Sequence, residues 1–135
     1  MGGNFEDLSY AEYNIKTDVE AAQYVSKNFP MPIIYCGFEV GQNVITSIDM
    51  TTPHEDCPIR IAYTPFKGKK ESWDPITLYC AVYQENKFFI KQNDLRVEFD
   101  SDGCTQYTNG GKDSRIILNC TIEVAADEIN RYMKI

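Results

Sequence analysis

The apolar and polar positions of this chain change period several times, and each change marks an element. In "TDVEAAQYVSKNF" (residues 17–29), Ala22, Val25 and Phe29 fall on one helical face, and Pro30 ends the run. Thr17 with Glu20 three residues later forms a capping box, which predicts the helix start there. "PIIYC" (32–36) has no alternation and is bounded by proline and glycine, so it predicts a buried strand. A helix leading into such a strand predicts an α/β unit with a parallel sheet. "EVGQNVITSI" (39–48) predicts a short helix. Residues 49–70 are rich in Pro, Thr and Lys and carry no period. They predict a long connection, of the kind that acts as a lid or stays disordered.

Further on, Ser72 is placed to cap a helix starting at Pro75, whose ring has no amide to satisfy in the first turn. Ile76, Tyr79, Cys80 and Tyr83 are its expected buried face. "DLRVEFDSDGCTQY" (94–107) alternates: Leu95, Val97 and Phe99 point one way, Asp94, Arg96, Glu98 and Asp100 the other. Asp102-Gly103 is a hairpin turn signal. "RIILNC" (115–120) predicts another strand. "TIEVAADEINRYMKI" (121–135) predicts a closing helix with Ile122, Ala125, Ala126, Ile129 and Met133 on its inner face. The expected fold is α/β: a parallel sheet portion with flanking helices plus an antiparallel hairpin toward the C-terminus. The length of 135 residues fits a single domain, 1–135.

Composition narrows the functions. A net charge of −7 argues against binding a nucleic-acid backbone, which needs clustered Lys and Arg. The one basic cluster, "KGKK" (67–70), reads as a solvated loop. No apolar stretch approaches the roughly 18–20 residues that cross a membrane, and "MGGNFEDLSY" lacks the basic start and apolar run of a signal peptide. The five cysteines are scattered, odd in number and without CxxC spacing. They predict reduced thiols in a reducing, cytoplasmic setting and no zinc motif. "NCT" (119–121) matches a glycosylation sequon that nothing else supports, and His54 reads as a loop residue.

Three motifs bear on chemistry. "EFDSDG" (98–103) spaces oxygens like a calcium loop, but Asn109 stands where a bidentate Glu is required, so a hairpin turn is expected. In "AEYN" (11–14), Glu12 and Asn14 are two residues apart, and in an extended segment they would point to the same side. Together they offer acceptors and a donor suited to vicinal hydroxyls. In "ESWDPITLY" (71–79), the only tryptophan, Trp73, directly precedes Asp74 at a helix start. The pair reads either as core aromatic plus surface acid, or as a platform for a flat substrate beside a cation ligand.

The ordered set "MGGNF…AEYNIKTDVEAAQYV…PIIYCGFEVG…SWDPITLYCAVY" resembles the C-terminal half of the inosine-uridine type nucleoside hydrolases, from Met1 to about Tyr83 and more loosely beyond. The resemblance implies that Glu12 and Asn14 hydrogen-bond a ribose, with Asn4 a further ribose contact, and that Asp74 ligates a catalytic calcium. Trp73 takes the position where the purine-preferring branch stacks its base and assists its departure. The implied reaction is hydrolysis of the N-glycosidic bond of a ribonucleoside, through an oxocarbenium-like transition state and a metal-bound water. The departure from the family is equally specific. Its aspartate cluster, DxDxxxDD, is absent, and calcium wants about six to eight oxygens where this chain matches one carboxylate. The isolated chain is therefore expected neither to hold calcium tightly nor to catalyse. It reads as a fragment, as one half completed by a separate N-terminal half, or as a non-catalytic ligand-binding or oligomerisation domain of that descent. Exposed sheet edges in such a half predict self-association.

Overall fold

The computed structural model describes residues 1–51 and 54–133. Its centre is β4 (Phe89–Phe99), a strand of 11 residues flanked on one side by β5 (Thr105–Asn109) and on the other by β6 (Asp113–Leu118). Both pairings are antiparallel, and β1 (Ile34–Tyr35) adds to the far side of β6 in parallel. The result is a mixed sheet in the order β1-β6-β4-β5. The predicted parallel portion is confined to the β1–β6 pair. A second, two-stranded antiparallel sheet joins β2 (Ile45–Ser47) to β3 (Lys69–Glu71).

The alternation in residues 95–99 is realised: Leu95, Val97 and Phe99 are buried and their neighbours Arg96 and Glu98 are exposed. The "DSDG" turn forms as expected. Gly103 N–H donates to Asp100 O at 3.1 Å, and Asp100 Oδ1 accepts from the amides of Asp102 and Cys104, each at 2.9 Å. The carboxylate serves the turn, as an Asx residue does.

A bulge in β4 gives the sheet two cores. Gln92 opposes Arg115 and Leu95 opposes Asp113, so three steps on β4 match two on β6. The extra residue reverses which face each later side chain meets. Phe89, before the bulge, packs with Cys36, Ile76, Tyr79, Ile116 and Ile129, and Leu95, after it, packs with Phe5, Tyr35, Val97 and Phe99. Asp94 sits at φ +61°, and its carbonyl accepts from Gly110 N–H at 2.7 Å and Gly111 N–H at 3.2 Å. A Cβ at Gly111 would stand 2.2 Å from Leu95 O, so the crossing backbone admits only glycine there.

Helices cover both faces. Over the first core lie α3 (Phe38–Gly41), α5 (Trp73–Val82) and α6 (Ile122–Tyr132). Against the second lie residues 1–5, α1 (Tyr13–Thr17) and α2 (Val19–Asn28), with Ile15 and Ala22 touching the core. In α6, Ala125 and Ile129 are buried as expected, Ala126 and Met133 are half-buried, and Ile122 stays exposed. All five cysteines are free thiols, and among the described residues no helix is long and apolar enough to cross a membrane.

Several expectations are corrected. Thr17 does not cap the first long helix, because it is the last residue of α1 and its hydroxyl donates to Tyr13 O at 2.8 Å. Asp18 caps α2 instead, accepting from Ala21 N–H at 2.9 Å. Val25 and Phe29 are exposed. The run 32–36 is no doubly buried strand: β1 is two residues long, lies at the sheet edge, and leaves Ile34 49% exposed. Only the start of 39–48 is helical, and its end is β2. The connection 49–70 contains α4 (Pro58–Tyr63), a 3-10 turn (Thr64–Phe66) and the start of β3. His54, just before α4, is exposed. Helix α5 begins at Trp73, two residues before Pro75, and Tyr83 is its exposed cap. Ser72 holds the N-cap position, but its ψ of 29° is far from the extended value that aims a cap hydroxyl at the helix amides. Among the described residues, its buried Oγ has no hydrogen-bond partner.

Candidate functional site

The N-terminal strap, residues 1–3, runs past the end of β1 and holds it with two backbone bonds. Gly2 N–H donates to Cys36 O at 3.0 Å, and Phe38 N–H donates to Gly3 O at 2.8 Å. Loops at the carboxyl ends of parallel strands are where open α/β sheets place ligands. All five residues singled out in the sequence lie on segments that meet here, though in different roles.

Glu12 is 2% exposed and works as a helix cap. Its carboxylate accepts from Asn14 N–H through both oxygens, at 3.1 Å each, and from Ile15 N–H at 3.4 Å. The segment is therefore not extended, and the expected shared direction of Glu12 and Asn14 is lost. Glu12 points in and Asn14 points out, where its Nδ2 approaches Met1 O at 3.5 Å. Asn4 is buried too: its Oδ1 accepts from Asp7 N–H at 2.9 Å and Glu6 N–H at 3.3 Å, and its own amide donates to Thr105 Oγ1 at 2.9 Å.

Trp73 is half-buried at the start of α5. Its indole N–H donates to Phe38 O at 2.8 Å, and its ring stacks on that of Phe38 with centroids 5.3 Å apart and planes at 27°. Such offset stacking suits the charge distribution of both rings. Asp74 is exposed in the first turn of α5, where the helix dipole favours a negative charge. Thr77, one turn later, donates its hydroxyl to Trp73 O at 2.8 Å, and burial is the main cause that pushes the nearby Cys36 thiol's pKa up.

The sequence reading missed the groove beside this strap. It is an open concavity of about 500 Å³ whose lining includes Asn4, Tyr10, Phe38, Glu39 and Gln42. Of the residues singled out from the sequence, Asn4 alone lines it, while Trp73 stands behind Phe38. Tyr10 and Phe38 approach at 5.7 Å between centroids. The signal available beforehand was weak: "GFEV" offers an aromatic and an acid at a helix start, a common combination. Glu39 Oε2 accepts from Phe5 N–H at 3.1 Å. Burial raises the Glu39 carboxyl above its ordinary 4.5, with backbone hydrogen bonds and Arg115 opposing and Glu6 reinforcing.

That shift has a definite sign. A carboxyl whose folded pKa lies above its unfolded one favours the native state below the unfolded value and loses that contribution as pH rises through the raised one. Replacing Glu39→Gln is therefore expected to improve stability relative to the parent as pH goes from 3.5 to 7. Urea midpoints at both pH values measure it, and a difference independent of pH would refute the assignment.

The fit to calcium is poor. Among the described residues, no three or more His, Cys, Asp or Glu side chains gather as a metal-holding group. Asp74 contributes at most two of the about six to eight oxygens calcium takes. No protein-family model matches this chain, and no curated protein matches it.

Proposed function

We propose that this chain carries the ribonucleoside-recognising, C-terminal part of a nucleoside hydrolase-type site, and that by itself it binds without hydrolysing. The observation that carries the reading is the strap of residues 1–3. It lies against the Glu12–Asn14 cap on one side and against Phe38, backed by Trp73, on the other. Sugar and base contacts therefore come from two segments that share one neighbour at the carboxyl end of β1.

In this reading the exposed Asn14 amide meets the ribose hydroxyls, and buried Glu12 is a positioning residue that fixes the first turn bearing it. The Phe38–Trp73 pair is the platform for the base, with Trp73 fixing the plane of Phe38. Asp74 remains a solvated acid next to that platform. Its lone carboxylate does not suit calcium, which takes about six to eight oxygens. The groove's acids are Glu6, Asp7 and Glu39, of which Glu39 accepts from Phe5 N–H and Asp7 from Ser9 Oγ; in this reading they shape the groove, and bond cleavage belongs to residues of a complementary half.

Calorimetric titration of inosine into the folded chain, with calcium and with chelator, tests this. Binding is expected in both conditions, with no release of free base. Asn14→Ala should weaken it about tenfold while leaving the urea midpoint unchanged, since loss of a hydrogen bond or two is of that size. Calcium-dependent base release would overturn the non-catalytic part of the reading. Absence of binding by a folded chain would overturn the nucleoside part.

A second reading is an oligomerisation domain of the same descent, and one observation favours it. The open edge of β1 shows Ile34 at 49% exposure, with Leu78 and Val82 of α5 also exposed. Such an edge templates further pairing. Under this reading sedimentation gives a dimer and inosine gives no heat.

A further inference from the structure

The sheet face beneath α5 holds a second concavity, separate from the groove at Asn4. It has a volume of about 110 Å³, with Cys36, Phe89 and Ile116 from the core and Thr77 and Cys80 from α5 in its lining. Burial pushes the Cys80 thiol up to about 12 and raises that of Cys36 as well. Both thiols are therefore neutral at ordinary pH and behave as small apolar walls, neither nucleophiles nor metal ligands.

Lys91 does not fit such a lining. It sits two residues beyond Phe89 and directly opposite Ile116 in the β4–β6 pairing, so it shares the face of the cavity and lines it. Strand alternation calls for an apolar residue at that position. The Lys91 ammonium makes no ion pair or hydrogen bond with any described residue, in a chain of net charge −7. An apolar pocket with one unanswered cation at its rim suits a ligand with one apolar end and one anionic end.

We propose that this cavity binds a small monocarboxylate with a short branched or cyclic tail, the tail against Cys36, Phe89 and Ile116 and the carboxylate at Lys91 Nζ. An apolar cavity of about 150 Å³ takes a benzene ring, so this one admits roughly four to six heavy atoms. A ligand that small binds with a dissociation constant on the order of a millimolar. A neutral apolar molecule would leave Lys91 unanswered, and inorganic phosphate would leave the apolar floor unfilled. The inference is independent of the nucleoside reading.

The test is an amide-resolved NMR titration of the full chain with isobutyrate, isobutanol and inorganic phosphate in parallel. Isobutyrate is expected to shift the amides of Thr77, Cys80, Lys91 and Ile116, and to bind roughly fivefold better than isobutanol. Lys91→Gln, a change at an exposed position, should remove that preference while keeping the isobutanol response. Equal affinity for the acid and the alcohol would overturn the carboxylate assignment. Shifts centred on residues 67–70, or matched by phosphate, would mean surface anion binding and would overturn the site. No shift at tens of millimolar isobutyrate would do the same.

Discussion

Replacing Gly41 with alanine is expected to lower stability by about 1–3 kcal/mol, at the upper end of that range, and to weaken nucleoside binding more than a remote change of equal cost. A Cβ there would lie 2.6 Å from Trp73 Cδ1, 2.7 Å from Trp73 Cα and 2.8 Å from its backbone nitrogen. Two of these atoms are backbone and cannot swing aside. Gly41 O also accepts from Ser72 N–H at 3.3 Å, which ties the end of α3 to the start of α5. The methyl group must therefore push the two helices apart, and the Phe38–Trp73 stack spans that junction. Urea denaturation gives the stability and inosine calorimetry the binding, with Asn43→Ala, an exposed neighbour, as the control. Unchanged stability would mean that α3 and α5 are not in the close contact described. Lost stability with unchanged inosine affinity would detach the aromatic platform from the binding site.

Leu95→Ala is expected to cost about 2–5 kcal/mol, the range for removing a buried leucine side chain from a core that cannot fully collapse. The residue is fully buried (0% exposed) and is the first β4 side chain after the bulge. Domains of this size are stable by only about 5–15 kcal/mol, so the change removes a large share. Leu95→Met, which keeps most of the volume, should cost under about 1.5 kcal/mol. The consequence reaches the candidate site, because Phe5 belongs to the same core and anchors the segment that begins with the strap. A cost below about 1 kcal/mol for Leu95→Ala would place Leu95 on an exposed face and refute the one-residue register shift at Gln92–Leu95.

The site residues show where local and distant information part. That Asp74 opens a helix next to an aromatic was readable, because proline, serine and an apolar period mark that helix within ten residues. The role of Glu12 was not. Glu12 before an apolar residue looks the same whether the segment is extended or a helix cap, and the five-residue α1 is too short to show a period. Its placement against the strap decides the matter by burying the carboxylate. Thr17 reads as the cap of the long helix, and Asp18, next to it, is of equal chemical competence. Once α1 exists and ends at Thr17, that hydroxyl is committed to its own helix and Asp18 takes the next.

By itself, the sequence determined the elements whose signals lie within a dozen residues: the bodies of α2, α5 and α6, the β4–β5 hairpin with its Asp-Gly turn, and the mixed α/β class. Periodicity, caps and turn chemistry are local properties of the chain, and they carry that far. Tertiary structure alone decided that β1 is an edge strand, that β4 bulges and so divides the core in two, and that residues 58–71 form a helix, a 3-10 turn and half of a small sheet. It also decided that Trp73 stands behind Phe38 and that Lys91 faces a cavity. These are outcomes of pairing between distant segments, and a strand's own residues do not state which neighbour, or how many, will cover them.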